Sequence, residues 1–235
     1  MTLDILKESS PCFDTRRNGS KVKFLILHYT GTQSAEDASR VYLGKDPDLK
    51  VSPHYMIEES GQITQFVEEE NRAWHAGKSF WQGDTDINSS SIGIELVNPG
   101  HVFGYRDFSS LQLESLKLLA REIMDRHAIE PQGVLAHSDV TPGRREDPGE
   151  RFPWKEFAEI GIGVWPEKRE GMPASVPQDF DLYESLIELG YDPAASREAV
   201  ITAFQRHFVP ESFKKGSVGR PCSLSISRLQ YLMDL

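Results

Sequence analysis

The stretch KVKFLILHYT, residues 21–30, decides how the chain folds. It is a short apolar run with β-branched residues, which reads as a buried strand ending near His28. Outward from it, AEDASRVYL (35–43) has the spacing of a short amphipathic helix. SPHYMIEESGQITQFV (52–67) reads as two strands joined by the Glu-Ser-Gly turn at 59–61. SSIGIELVN (90–98) is another short apolar strand with Glu95 embedded in it, and GVLAHSDV (133–140) is a third. Between these last two, FSSLQLESLKLLAREIMDRHAI (108–129) places apolar residues at 111, 113, 116, 119, 120, 123 and 124. That is a helical period, with Ser109 as its N-cap. Strands interleaved with helices predict an α/β fold, a central mixed β-sheet flanked by helices.

This first domain is expected to span residues 1–165, ending in FPWKEFAEIGIGVWP. Residues 166–179, PEKREGMPASVPQD, are rich in proline and charge and read as a linker. FDLYESLIELGY, SREAVITAFQRHF and SLSISRLQYLMDL follow, three helical segments that make a small C-terminal domain over 180–235. At about 55 residues it is near the lower limit for folding alone.

Composition narrows the function. The chain has 235 residues, 38% of them hydrophobic and 26% charged, an ordinary balance for a globular protein. The net charge of −10 argues against a nucleic-acid partner, since phosphate binding needs a basic stripe. No stretch approaches the ~20 apolar residues of a membrane-spanning helix. The N-terminus MTLDILKESSPCFDTRRNGS lacks the pattern of a secretory signal, so a cytoplasmic location is expected, the cell envelope being the alternative. Cys12 and Cys222 do not make a disulfide scaffold.

VLAHSDVTPGRREDPG (134–149) sets His137 and Asp147 ten positions apart with two arginines between them. Its Pro and Gly residues read as loop. Either the segment holds metal ligands on a fixed loop, or it is an ordinary surface loop with a capping aspartate. Seven histidines are present, and His28 and His137 differ from the rest because each directly follows an apolar strand. Strand ends in α/β sheets cluster at one edge, where sites form. With Asp147 they make a set of two nitrogens and one oxygen, the pattern of a catalytic zinc with an open fourth position. A structural zinc would more often be closed by four ligands, mostly Cys, and this chain has two cysteines. Glu95 inside IGIELV is either a strand residue facing solvent or, beside such a metal, a general base. A serine hydrolase built on Ser138 would lack the Gly-x-Ser-x-Gly elbow.

LILHYTGT, VSPHYMIEESGQI, RAWHAGKSFW, SSIGIELVNPG and AHSDVTPGRREDPGERFPW, in this order and spacing, resemble the type 2 N-acetylmuramoyl-L-alanine amidases. These are zinc enzymes related to phage lysozyme-amidases and to animal peptidoglycan recognition proteins, and the resemblance covers roughly residues 20–160. The segment LIELGYD…REAVITAFQRHF is more loosely similar to a three-helix peptidoglycan-binding module, which would tether the enzyme to cell wall or act as a stabilising cap. The resemblance implies one Zn²⁺ held by His28, His137 and Asp147, with Glu95 as the catalytic acid/base. It places His75 in the substrate groove, with Trp74 and Trp81 as apolar walls or core residues, and leaves His54 a structural role. It further implies a peptidoglycan or muropeptide substrate and a monomer, and it leaves open a relative that binds muropeptides without cutting them. Where many relatives carry Lys two positions before the ligand Asp, this chain has Arg145. Arginine keeps the charge but cannot give up a proton, so it can stabilise an oxyanion and not act as an acid.

Overall fold

The computed structural model describes residues 3–167, 177 and 179–235. Most of the linker read at 166–179 therefore lies outside the described residues. The strands are β1 (Ile5–Lys7), β2 (Phe13–Thr15), β3 (Phe24–Tyr29), β4 (Tyr55–Ile57), β5 (Ile63–Gln65), β6 (Asn71–Ala73), β7 (Ser91–Leu96) and β8 (Val134–Ala136). Six of them form one sheet in the order β1-β5-β4-β7-β3-β8, in which only β4 and β5 pair antiparallel. β2 and β6 make a separate antiparallel pair. The sheet is mixed, as the sequence predicts. The three-residue strands β1, β2 and β6 carry too little periodicity to be read in advance.

The helices in chain order are α1 (Ala35–Tyr42), α2 (Ile87–Ser90), α3 (Gly100–Phe103), α4 (Ser110–His127), α5 (His137–Val140) and α6 (Trp154–Glu159). In the C-terminal segment they are α7 (Leu182–Leu189), α8 (Arg197–Phe208), α9 (Glu211–Lys215) and α10 (Ser223–Met233). The three expected C-terminal helices are there, and α9 is a short addition. Ser109 caps α4 as expected, accepting the Gln112 N–H at 3.1 Å. The turn between β4 and β5 closes through Gly61, whose φ of +87° suits a residue without Cβ. A side chain there would also lie 2.9 Å from the Leu111 carbonyl of α4.

GVLAHSDV differs from its reading as one continuous strand. The strand stops at Ala136 and His137 opens a helical turn. The Asp139 carboxylate accepts the Ala136 N–H at 2.8 Å, and the Thr141 N–H donates to the His137 carbonyl. A side chain that caps the chain locally outcompetes strand pairing here.

Each strand of the sheet centre sends alternate residues to opposite faces. Leu25 and Leu27 of β3, Ile92, Ile94 and Leu96 of β7, and Val134 and Ala136 of β8 join a core with Leu116, Leu119 and Ile123 of α4 and with Trp154 and Phe157 of α6. Phe24, Ile26 and Leu135 face the other way. They pack into a second core with Leu182, Leu186, Val200, Phe204 and Leu229 of the C-terminal helices. A third cluster, with Ala38 and Tyr42 of α1 on Met56 of β4, covers the same face farther along the sheet. Cys12 and Cys222 are both free, and among the described residues no helix is long and apolar enough to cross a membrane.

The C-terminal helices thus share a core with the sheet, so the two parts are expected to unfold together. Phe204→Ala, at a fully buried position of that shared core, is expected to cost about 3–5 kcal/mol. Urea denaturation should show it as a lower midpoint of one cooperative transition. Two separated transitions in the unmodified chain would instead mark independent domains.

Candidate active site

Strand register builds the site. Leu27 of β3 pairs with Ala136 of β8, so the next residues, His28 and His137, emerge side by side. On the other side of β3, His28 pairs in register with Glu95 of β7. Ile92, Ile94 and Leu96 are committed to the first core, which turns Ser91, Gly93 and Glu95 to the opposite face at a period of two. That settles the charged residue in an apolar strand: Glu95 faces a cleft beside Ala38 and Tyr42 of the third cluster. The loop after α5 returns Asp147 beneath the two histidines, its carbonyl accepting the Ser138 N–H at 3.0 Å.

Three donor atoms converge there. His28 Nδ1 lies 2.9 Å from His137 Nδ1 and 3.0 Å from Asp147 Oδ2, and His137 Nδ1 lies 2.9 Å from the same oxygen. All three residues are buried, and together they could hold a metal ion. The far ring nitrogens fix the tautomers. The Ile87 carbonyl can only accept, so the Ser91 hydroxyl donates to it at 2.5 Å. Ser91 Oγ therefore receives the Nε2–H of a neutral His75 at 3.1 Å. His75 Nδ1, left with its lone pair, accepts the His28 Nε2–H at 3.0 Å. His137 Nε2 faces the Ala76 carbonyl at 3.4 Å and is the protonated nitrogen of that ring. Both Nδ1 atoms then present lone pairs to each other and to a carboxylate. A cation seated among the three groups would satisfy all of them at once. The spacing approaches the ~3.3 Å edge of a tetrahedron with ~2.0–2.1 Å bonds, and an outer N–H donated to a fixed acceptor is the usual arrangement of a metal-binding histidine.

Electrostatics agree. Burial, then the neighbouring His137, pushes the His28 imidazole down to about 4, favouring the neutral ligand form. Burial raises the Asp147 carboxyl, but positive charge and N–H donation at the His137 and His28 rings would outweigh it and hold the group below the usual carboxylate range. A bound cation would take over that role from neutral imidazoles. Burial and the Asp147 charge lift Glu95 to about 8, opposed by the Tyr42 hydroxyl and the Arg145 guanidinium. Glu95 Oε2 has no hydrogen-bond partner among the described residues.

The cleft above these groups measures about 500 Å³ and is lined by Tyr29, Tyr42, Val51, His75, Glu95 and Arg145, among others. Arg145 has no ion-pair partner among the described residues. Glu146 and Glu150, its possible partners on the loop, are engaged by Arg206 and His101. The two tryptophans lie elsewhere. Trp81 is in the second core, edge-on to Tyr191 at 4.9 Å, and neither Trp74 nor Trp81 lines the cleft. His54 sits below, accepting the Gly93 N–H at Nδ1 and facing the Asn71 carbonyl and the Arg16 guanidinium with Nε2. Ser138 is fully buried and out of reach of a substrate. Sequence reasoning did not find Tyr42 or Ser91, nor the use made of Gly93. A Cβ on Gly93 would lie 2.5 Å from the His75 ring, so this glycine is the space His75 occupies.

Residues 18–150 match the family model described as N-acetylmuramoyl-L-alanine amidase. The chain belongs to this family. It is 37% identical to the N-acetylmuramoyl-L-alanine amidase AmiD of Escherichia coli K12, over 88% of this chain and 83% of that one. The solved complex of E. coli AmiD with the substrate anhydro-N-acetylmuramic acid-L-Ala-D-γ-Glu-L-Lys superposes with a TM-score of 0.78 at 33% identity, covering 93% of this chain and 91% of that one. AmpDh3 of Pseudomonas aeruginosa, solved with an anhydromuramic pentapeptide, gives 0.77 at 32% identity over 100% of this chain and 98% of that one. The enzyme is accordingly an amidohydrolase for the bond between N-acetylmuramic acid and L-alanine.

Proposed function

We propose that the enzyme uses one zinc ion held by His28, His137 and Asp147 to hydrolyse that amide in muropeptides. The observation that carries the reading is the meeting of two imidazole lone pairs and a carboxylate within 3.0 Å at the floor of a cleft. Two nitrogens and one oxygen suit zinc and leave a coordination position for the reaction. Zinc bound there would supply Lewis acidity to the amide carbonyl and to a water molecule.

The chain's own residues do the rest. A cation held by Asp147 would offset the charge that raises Glu95 and favour its ionised form. Glu95, whose Oε2 has no partner among the described residues, takes up the proton of the attacking water and returns it to the leaving L-alanine nitrogen. The Arg145 guanidinium, unpaired at the cleft wall, stabilises the oxyanion that develops on the amide carbonyl. His75 keeps the ring of His28 in its ligating tautomer. The muramoyl group and stem peptide occupy the cleft along Tyr29 and Val51. The substrate class is that of the AmiD and AmpDh3 complexes, anhydro-muramyl peptides, which parallel digestion of purified anhydro-muropeptides and intact sacculi will test.

Replacing His28 or His137 by Ala is expected to abolish stoichiometric zinc and activity together, as read by atomic absorption and turnover. Full zinc occupancy in His137→Ala would remove that residue from the ligand set.

Glu95→Gln is expected to retain zinc and to lose ~10²–10⁴-fold in kcat, because an amide cannot take the water's proton. Wild-type turnover in this variant would place the proton elsewhere.

Arg145→Ala is expected to lose about 3 kcal/mol of transition-state stabilisation, seen in kcat with KM and zinc content little changed. Arg145→Lys, which keeps the charge, should retain substantial activity. An unimpaired Arg145→Ala would make this side chain a bystander.

A further inference from the structure

The C-terminal helix α8 touches the segment that carries His137, Arg145 and Asp147 at three places. Near its start, Ala199 packs against the loop backbone so closely that a Cβ on Gly143 would sit 3.0 Å from the Ala199 Cβ. Near its end, two consecutive residues grip the two ends of the loop. His207 donates from Nδ1 to Asp139 Oδ2 at 2.6 Å, and the Tyr191 hydroxyl donates to Asp139 Oδ1 at 2.8 Å. Asp139 is fully buried, and it is the residue whose carboxylate caps Ala136 immediately before His137. His207 is itself immobilised, stacked on Trp154 with ring centroids 3.7 Å apart.

Arg206, one residue earlier and also buried, reaches the far end of the loop. Its Nε lies 3.3 Å from Glu150 and its Nη2 lies 3.2 Å from Glu146, the neighbour of Asp147. His101 extends the contact, joining Glu146 and Glu150 to the Tyr29 hydroxyl beside His28.

We infer that Arg206, His207 and Tyr191 are positioning residues, through which the C-terminal helices hold the metal-binding loop in its ligating shape. The inference rests on the zinc reading of His28, His137 and Asp147. Its physical basis is that two of the three donors satisfying the buried Asp139 carboxylate come from the C-terminal segment, His207 on α8 and Tyr191 just after α7. Removing one leaves a buried charge under-compensated, and the capped turn at His137 gives way to re-satisfy it. Arg206 acts likewise on two carboxylates that flank Asp147, which would otherwise repel each other and the ligand. The C-terminal segment is then part of the catalytic unit even for small soluble substrates.

The test uses the full chain with His207→Phe, Tyr191→Phe, Arg206→Met and Arg206→Lys, against Leu229→Ala as a control in the same core, on α10, which packs on α7 and α8. Zinc affinity is measured by competition with a chromogenic chelator, kcat and KM on the zinc-loaded protein, and melting by circular dichroism. His207→Phe, Tyr191→Phe and Arg206→Met are expected to bind zinc about tenfold more weakly, at the lower edge of losses seen when a ligand's outer support is removed. Their kcat should fall while KM stays near the wild-type value, and Arg206→Lys should recover most of both. Leu229→Ala should melt earlier and keep wild-type zinc affinity. Should His207→Phe fail to fold, Tyr191→Phe, which removes a single oxygen, decides. Zinc affinities within twofold of wild type in the folded variants, or losses that Leu229→Ala reproduces at equal melting temperature, overturn the inference. A wild-type chain that binds no stoichiometric zinc overturns the metal reading first and the inference with it.

Discussion

The in-register pairing of β3 with β7 on one side and β8 on the other is the constraint from which the site follows. It sets His28 beside Glu95 and, one step past Leu27 and Ala136, beside His137. Because successive strand residues alternate faces, burying Leu25, Leu27, Ile92 and Ile94 against α4 obliges His28 and Glu95 to point the other way. A one-residue slip of β8 against β3 would send His137 to the wrong face. Core packing and site assembly are therefore the same choice of register.

Placing neutral imidazoles beside a carboxylate in a buried pocket is unfavourable without a cation, and the surrounding protein absorbs that cost. A chain of hydrogen bonds from His28 through His75 and Ser91 ends on the Ile87 carbonyl, which makes the tautomers a consequence of backbone geometry. His75 is held at its backbone as well, since Asn88 Oδ1 accepts the N–H groups of His75 and Ala76 at 3.1 and 2.8 Å. Gly93 supplies the room for the ring. Such a site is organised before any ligand arrives, so little reorganisation is left for the reaction itself.

The face of the sheet that bears the site is only partly covered by the residues before 165. α1 closes it at one end through Tyr42 and Met56, and α7, α8 and α10 close it at the other over Phe24, Ile26 and Leu135. The cleft lies between α1 and the loop that carries Arg145 and Asp147, and α8 backs that loop through Ala199, Arg206 and His207. A segment that reads as an appendage in sequence therefore supports one wall of the cleft without lining it.

Much of this was legible in the residues. The apolar runs ending at His28 and before His137 located two strand ends, the helical period of 111–124 located α4, and a carboxylate inside IGIELV marked Glu95 as unusual. These signals survive in sequence because they depend on local spacing: strand alternation, helical period and the cost of burying charge act within a few residues. Other features had no local signal. β1, β2 and β6 are held by their partners alone, and HSDV becomes helical because the Asp139 carboxylate reaches back to cap Ala136. Trp81, which could have been a groove wall, was assigned to the core by Tyr191, a residue more than a hundred positions away. The sequence by itself marked which side chains have the chemistry for such a site, with His28 near one strand end and His137 after another. Tertiary structure alone decided that their nitrogen and oxygen atoms meet within 3.0 Å, which acceptors face the outer ring nitrogens, and that α8 closes on the loop, because those outcomes depend on contacts between segments no local pattern encodes.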